Sequence, residues 1–192
     1  NSCNYFHVLR RQMLRKYRKP LVIATPKVGL RHPIYTSSID SFENNYSFQP
    51  IIINKFFKNI EDIKYVVFCS GQIFMEVLRM IKSLGKNNDD YSLMLVRIEE
   101  MAPFPEEIII SSLKDINKQV KLIWLQEEGM NAGAYSYVEP HLARIINKLN
   151  INSKVNYIGR NAEVAANGSV EISKKESQYI IENITSILNN NY

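Results

Sequence analysis

From about residue 63 the chain settles into a regular exchange of apolar runs and amphipathic stretches. Tyr65-Val66-Val67-Phe68-Cys69 is continuously apolar, and Ser70-Gly71 leads from it into a helical period over 73–84 that stops at Gly85. Leu93-Met94-Leu95-Val96-Arg97-Ile98 is the next strand, and Pro103-Phe104-Pro105 opens a helix reaching about Lys118. Val120–Leu125 is a third strand, 135–149 a helix containing Pro140, and Val155–Ile158 a fourth strand. Ser173 and Glu176 have the spacing of a capping box, which places the start of the last helix at Ser173. Strand and helix thus alternate four times, the signature of a parallel sheet with helices on both faces. The strands are continuously rather than alternately apolar, as strands covered on both sides are. The fold class expected for 61–192 is α/β, a doubly wound, mostly parallel sheet.

The first 60 residues read differently. Phe6, Leu9, Met13 and Tyr17 recur at spacings of three and four, which predicts a helix over 5–17 ended by Pro20. Leu21-Val22-Ile23-Ala24 reads as a buried strand. Residues 34–60 hold no sustained period, contain Pro50 and clusters of Ser and Asn, and read as a linker. A lone helix and strand have no sheet of their own to join, so 1–33 reads as a remnant of a neighbouring domain, and the helix's apolar stripe is expected to lie exposed in its absence.

Composition narrows the classes. Hydrophobic residues make up 45% and charged residues 22%, which suits a globular chain rather than disorder. No apolar run approaches the roughly 18 residues of a membrane span, and arginines and lysines at 10–16 interrupt any signal-peptide core. The two cysteines, Cys3 and Cys69, are too few for a disulfide framework. The three glycosylation sequons at Asn45, Asn167 and Asn183 are read as chance in a chain rich in Asn, Ser and Thr.

Charge is unevenly placed. Residues 1–39 carry eight bases and no acid, while the rest carries 16 bases against 19 acids. Such asymmetry marks either a phosphate-bearing partner or a helix separated from an acidic neighbour. The seven glycines never fall two apart, which excludes G-x-G-x-x-G, and there is no phosphate-cradling G-x-x-x-x-G-K-[ST] loop and no G-x-S-x-G elbow. The histidines, His7, His32 and His141, are widely separated and lack metal-ligand spacing. No residue is assigned a catalytic, cofactor-binding or metal-binding role.

Weaker candidates remain. Glu99-Glu100 and Glu127-Glu128 sit just past strand ends, where open α/β sheets bind ligands. Neighbouring acids in extended chain face opposite ways, so the favoured reading is one acid satisfied by donors or an arginine and the other facing water or an interface. Arg160 follows the fourth strand and suits either a phosphate or carboxylate clamp or an interface ion pair. Lys27, Arg31 and His32 form a candidate anion cluster, with Arg10 and Arg11 as further regulator or interface candidates; His7 reads as packed or solvated.

Seven strings in order, N-Y-F-H-V-L-R-R-Q (4–12), R-K-P-L-V-I-A-T-P-K (18–27), L-R-H-P (30–33), F-C-S-G (68–71), V-R-I-E-E-M-A-P-F-P (96–105), W-L-Q-E-E (124–128) and Y-I-G-R (157–160), resemble the decarboxylating subunit of the 2-oxoglutarate dehydrogenase complex. The resemblance implies that 1–33 is the tail of a pyrimidine-binding domain and 61–192 a transketolase-type C-terminal domain. It implies an enzyme that decarboxylates 2-oxoglutarate on thiamine diphosphate with Mg2+, both held outside this chain, and passes the succinyl group to a lipoyl-bearing dihydrolipoyl succinyltransferase in the tricarboxylic acid cycle. It further implies a homodimer, an acyl-coenzyme A regulator, and a mitochondrial matrix location in a eukaryote or a cytoplasmic one otherwise. The fragment itself is expected to support dimerisation and regulation and to be inactive alone. The sister 2-oxoadipate enzyme shares most of the strings; Leu30-Arg31-His32-Pro33 is closer to the 2-oxoglutarate form. The chain departs from the family at Val28-Gly29, at Asn131-Ala132-Gly133, in lacking a proline between Ala162 and Gly168, and at Gln72, where the family has lysine. A regulator that used that lysine would lose the contact here. Two readings of other classes stay open: a nucleic-acid-binding module, which lacks a stacking platform, and a separate module binding coenzyme A or a nucleotide.

Overall fold

A computed structural model describes every residue except Pro26, Asn44 and 163–169. The chain divides into two compact units, 1–50 and 51–192.

In the first unit, α1 (Ser2–Leu14) begins at Asn1, whose side chain accepts from the Asn4 amide at 2.9 Å. It stops three residues earlier than the apolar period predicts. Arg15 turns extended, and the Arg18 guanidinium donates to the Arg15 carbonyl at 2.7 Å, so the chain leaves the helix well before Pro20. The buried face of α1 is polar. Asn4 exchanges two hydrogen bonds with the backbone of Gln49 (3.1 and 2.7 Å), and His7 Nε2 donates to the Ser41 carbonyl at 2.7 Å. The predicted stripe of Phe6, Leu9, Met13 and Tyr17 is exposed instead. Leu21–Ala24, expected as a buried strand, forms none, and Val22 is 90% exposed. A strand needs a neighbouring ladder, and no strand among the described residues of this unit supplies one.

The second unit is a five-stranded sheet with helices on both faces, as expected. In chain order it runs β1 (Ile51–Phe56), β2 (Tyr65–Cys69), α2 (Ile73–Leu84), β3 (Leu93–Ile98), α3 (Glu106–Leu113), β4 (Lys121–Gly129), α4 (Tyr135–Leu149), β5 (Val155–Arg160) and α5 (Val170–Leu188). The sheet order is β1-β3-β2-β4-β5, with β1 antiparallel on the edge and the rest parallel. Residues 34–60 therefore hold more than linker: β1 lies inside that span. Its Ile51, Ile52 and Ile53 were hidden from a period search by Asn54 and Lys55, which an edge strand tolerates.

Residue parity sorts the two cores. Val66, Phe68, Met94, Val96, Ile98, Leu122 and Trp124 meet Ile109 and Leu113 of α3 and Val138, Leu142, Ile145 and Ile146 of α4. The opposite parity (Val67, Leu95, Ile123, Leu125) faces α2 and α5, which pack on one another. Gly85 ends α2 in the left-handed conformation (φ +63°), open to glycine at no steric cost. Three boundaries differ from expectation. α3 is shorter, because the chain turns at 113–120, with the Asn117 side chain accepting from the Gln119 amide at 2.9 Å. β4 and β5 each run further, to Gly129 and Arg160, because those two residues pair with one another past an irregularity after Leu125. α5 begins at Val170 rather than Ser173, and the Glu176 carboxylate accepts from the Asn161 amide at 3.0 Å instead of closing a capping box.

Glu106, the first residue of α3, accepts from Arg144 Nη2 at 2.6 Å and Nε at 3.1 Å and lies 2.8 Å from His141 Nδ1, tying α3 to α4. The hydrogen bonds from Arg144, then from His141, hold its carboxyl below the ordinary value. Its stabilising contribution is therefore complete above that ordinary value and is lost as pH falls through the lowered one. Glu106→Gln should lower the urea midpoint at pH 6 and converge with the unsubstituted chain under acid. Phe68→Ala, at a site with 0% exposure, should cost about 3–5 kcal/mol in the same urea titration.

Candidate functional site

β2 and β4 lie side by side and parallel, but their following helices depart to opposite faces, α2 to one and α4 to the other. Their carboxyl ends form the switch point of a doubly wound sheet, the place where such folds bind ligands. The residues beyond β2 turn at Gly71 (φ +73°) into Gln72, whose amide donates to both carboxylate oxygens of Glu127 on β4, at 3.0 and 3.1 Å. Glu127 thus sits against the amino end of α2, where the helix dipole favours an anion.

One strand further out, Arg97 is buried at the end of β3, with its guanidinium 4.1 Å from the centre of the Phe74 ring and 3.8 Å from Glu99. Glu99 therefore faces an arginine, in line with the expected reading of that acid pair. Cys69 pairs with Arg97 across the ladder. Burial pushes its thiol up to about 12, only partly opposed by Arg97, so it is not a nucleophile at neutral pH.

On the other face Gln126 is a hydrogen-bond hub. Its oxygen accepts from Trp124 Nε1 (2.8 Å) and from the Tyr135 amide (3.2 Å), and its nitrogen donates to the carbonyls of Gly129 (2.9 Å) and Glu128 (3.2 Å) and to the Tyr157 hydroxyl (3.3 Å). Tyr157 in turn donates to the Arg160 carbonyl at 2.7 Å, and burial pushes its phenol up to about 12. A methyl at Gly133 would strike the Gln126 amide, and one at Gly159 would strike the Tyr157 ring and hydroxyl. Three sequence strings, W-L-Q-E-E, N-A-G and Y-I-G-R, thereby become one packed assembly that ends β4 and β5 and aims Glu127 and Arg160.

Of the residues singled out from the sequence, Glu127, Glu128 and Arg160 lie on the adjacent ends of β4 and β5. They are the last residues of strands rather than loop residues beyond them. Arg160 reaches Ser177 of α5 at 3.5 Å. The basic candidates belong to the first unit. Arg10 donates to the carbonyls of Glu43 and Tyr46, Arg11 covers the Phe48 ring at 4.2 Å, and the His32 ring accepts from the Ile34 amide at 3.2 Å. Lys27 and Arg31 are exposed. Gln72 was singled out only as a departure from the family's lysine, and Arg97, Gln126 and Tyr157 were not singled out. The legible signal for Arg97 and Gln126 was a polar residue inside an otherwise apolar strand. The missing proline concerns a stretch that lies, Ala162 apart, outside the described residues. Among the described residues no group of three or more His, Cys, Asp or Glu converges. No helix among the described residues is long and apolar enough to cross a membrane.

The fold is an open, doubly wound α/β domain. Residues 36–185 match the family model described as 2-oxoglutarate dehydrogenase C-terminal, and the chain belongs to that family. It is 40% identical over 182 residues to a probable 2-oxoadipate dehydrogenase complex component E1 homolog of Dictyostelium discoideum, covering 93% of this chain and 19% of that protein. It is 33% identical to the 2-oxoglutarate dehydrogenase E1 component of Rickettsia typhi (92% and 18%), and 36% identical to the mitochondrial 2-oxoglutarate dehydrogenase of Caenorhabditis elegans (82% and 15%). The chain spans less than a fifth of the length of these curated relatives.

Gln126→Leu should leave the Trp124 and Tyr135 N–H groups without an acceptor, at a cost of about 2–4 kcal/mol. Urea unfolding followed by emission of Trp124, the sole tryptophan, measures it.

Proposed function

We propose that the chain is the C-terminal part of a thiamine-diphosphate-dependent 2-oxoglutarate dehydrogenase that oxidatively decarboxylates 2-oxoglutarate and passes the succinyl group to lipoyl arms. The carrying observation is a match across 92% of this chain to an E1 component of which it spans only 18%. Thiamine diphosphate and Mg2+ would be held by other parts of the longer polypeptide. The fragment's own role is then dimer support and regulation. Residues 1–33 are the proposed tail of the pyrimidine-binding domain, 34–60 the connection carrying the edge strand, and 61–192 the transketolase-type domain.

The proposed partners are a second copy of the subunit and the lipoyl-bearing dihydrolipoyl succinyltransferase, in the mitochondrial matrix of a eukaryote or the cytoplasm of a bacterium, serving the tricarboxylic acid cycle. An acyl-coenzyme A regulator is proposed for the carboxyl-end switch point, where Arg160 is the cation and Gln72 offers only an amide. The 40% identity to a 2-oxoadipate homolog supports 2-oxoadipate as a second substrate reading.

The isolated chain is expected to release no CO2 from 2-oxoglutarate with thiamine diphosphate and Mg2+ present. The full-length polypeptide should be active, with a higher kcat/KM for 2-oxoglutarate than for 2-oxoadipate. A full-length protein inactive on every 2-oxo acid would refute the assignment, and a reversed preference would move it to the sister enzyme. Acetyl-coenzyme A titrated calorimetrically tests the regulator, and oligonucleotide titrations at two salt concentrations should stay flat.

A further inference from the structure

The loop between β3 and α3, residues 99–105, is fastened to α4 at three points. The Tyr137 hydroxyl donates to the Met101 carbonyl at 2.8 Å. The Phe104 ring lies over the His141 ring, with centroids 4.3 Å apart and planes 23° from parallel. Glu106, just after the loop, meets His141 and Arg144.

The third fastening contains a conflict. His141 Nδ1 lies 2.8 Å from Glu106 Oε1 and 2.7 Å from Arg144 Nη2. One ring nitrogen cannot serve both. In the neutral ring the Nε2–H tautomer accepts from Arg144 at Nδ1, whereas the Nδ1–H tautomer donates to Glu106; the doubly protonated ring can only donate. We propose that His141 is a proton-operated catch on the 99–105 loop: protonation removes the tautomer that accepts from Arg144, leaves Nδ1 donating to Glu106, and tightens the loop against α4.

The surroundings set the direction. Glu106 and Glu107 face the site from α3, and Arg144 and Lys148 from α4, with Lys148 bound to Glu107 at 3.2 Å. Tyr137 of α4, whose ring centroid lies 5.0 Å from that of His141, is a further titratable group in contact with it, and Tyr135 and Glu139 also lie on α4. Arg144 is 53% exposed and can turn its released donor to water, whereas Glu106 is only 21% exposed and stays. The charged ring also gains the Phe104 face as a cation–π partner. The bond kept joins a cationic ring to a carboxylate, whereas the bond given up joins the Arg144 cation to a neutral ring.

The test is amide exchange on the full chain at pH 5.5 and pH 8, normalised to intrinsic rates and to a β2 core amide. The reporters are Glu106 and Ile109, whose N–H groups donate to the Phe104 and Pro105 carbonyls at 2.9 and 3.1 Å. Relative protection should rise on the order of fivefold at the lower pH, in step with the His141 ring titration followed by NMR. His141→Phe keeps a ring on Phe104 without the proton and should make the ratio independent of pH; His141→Gln should do the same. A flat ratio in the unsubstituted chain, or a rise that survives both substitutions, overturns the proposal. Either result is independent of whether the longer protein decarboxylates a 2-oxo acid.

Discussion

A parallel sheet covered on both faces must send its connections to both sides, and the site follows from that constraint. β2 leads to α2 on one face and β4 leads to α4 on the other, so their carboxyl ends part company with nothing covalent crossing between them. The amide of Gln72, hydrogen-bonded to Glu127, spans the gap. Behind it Gln126 satisfies five polar groups from a buried position, which lets an indole, a helix start and two strand ends meet without orphaned donors.

The two faces of the carboxyl end differ in character. The α2–α5 side carries the charged groups: Arg97, Glu127 and Arg160, one from each of β3, β4 and β5. The α3–α4 side carries uncharged amide and phenol groups packed beside Trp124, and its charges lie outward at Glu106, His141 and Arg144. Parity along extended strands produces this division, since residue 126 and residue 127 must point opposite ways.

Much of the layered architecture was legible because long apolar runs betray buried strands. β2, α2, β3 and α4 fall where their periods place them, and Gly85 stops α2 as a left-handed cap should. The failures share a cause. Leu21–Ala24 has strand composition but no partner, and composition does not report a missing ladder. β1 has a partner but carries Asn54 and Lys55, so its edge position disguised it. β4 continues through Gln126, Glu127 and Glu128 because hydrogen bonding to β5, not side-chain polarity, decides where a strand ends. At the site, Glu127 and Arg160 were visible as charges beside strand ends. Gln72, Arg97 and Gln126 became meaningful only through partners distant in sequence, which no local pattern encodes.

α1 is sorted nearly inside out: its buried residues are Asn4 and His7, while Leu9, Met13 and Leu14 are exposed and Phe6, 40% exposed, keeps one ring contact with Phe42. A helix built this way draws little hydrophobic free energy from the contacts it makes inside residues 1–50, and hydrogen bonds to Ser41 and Gln49 must hold it. Gentle warming should therefore loosen α1 from Ser41 and Gln49 at a lower temperature than the one that opens the apolar core between the sheet and its helices.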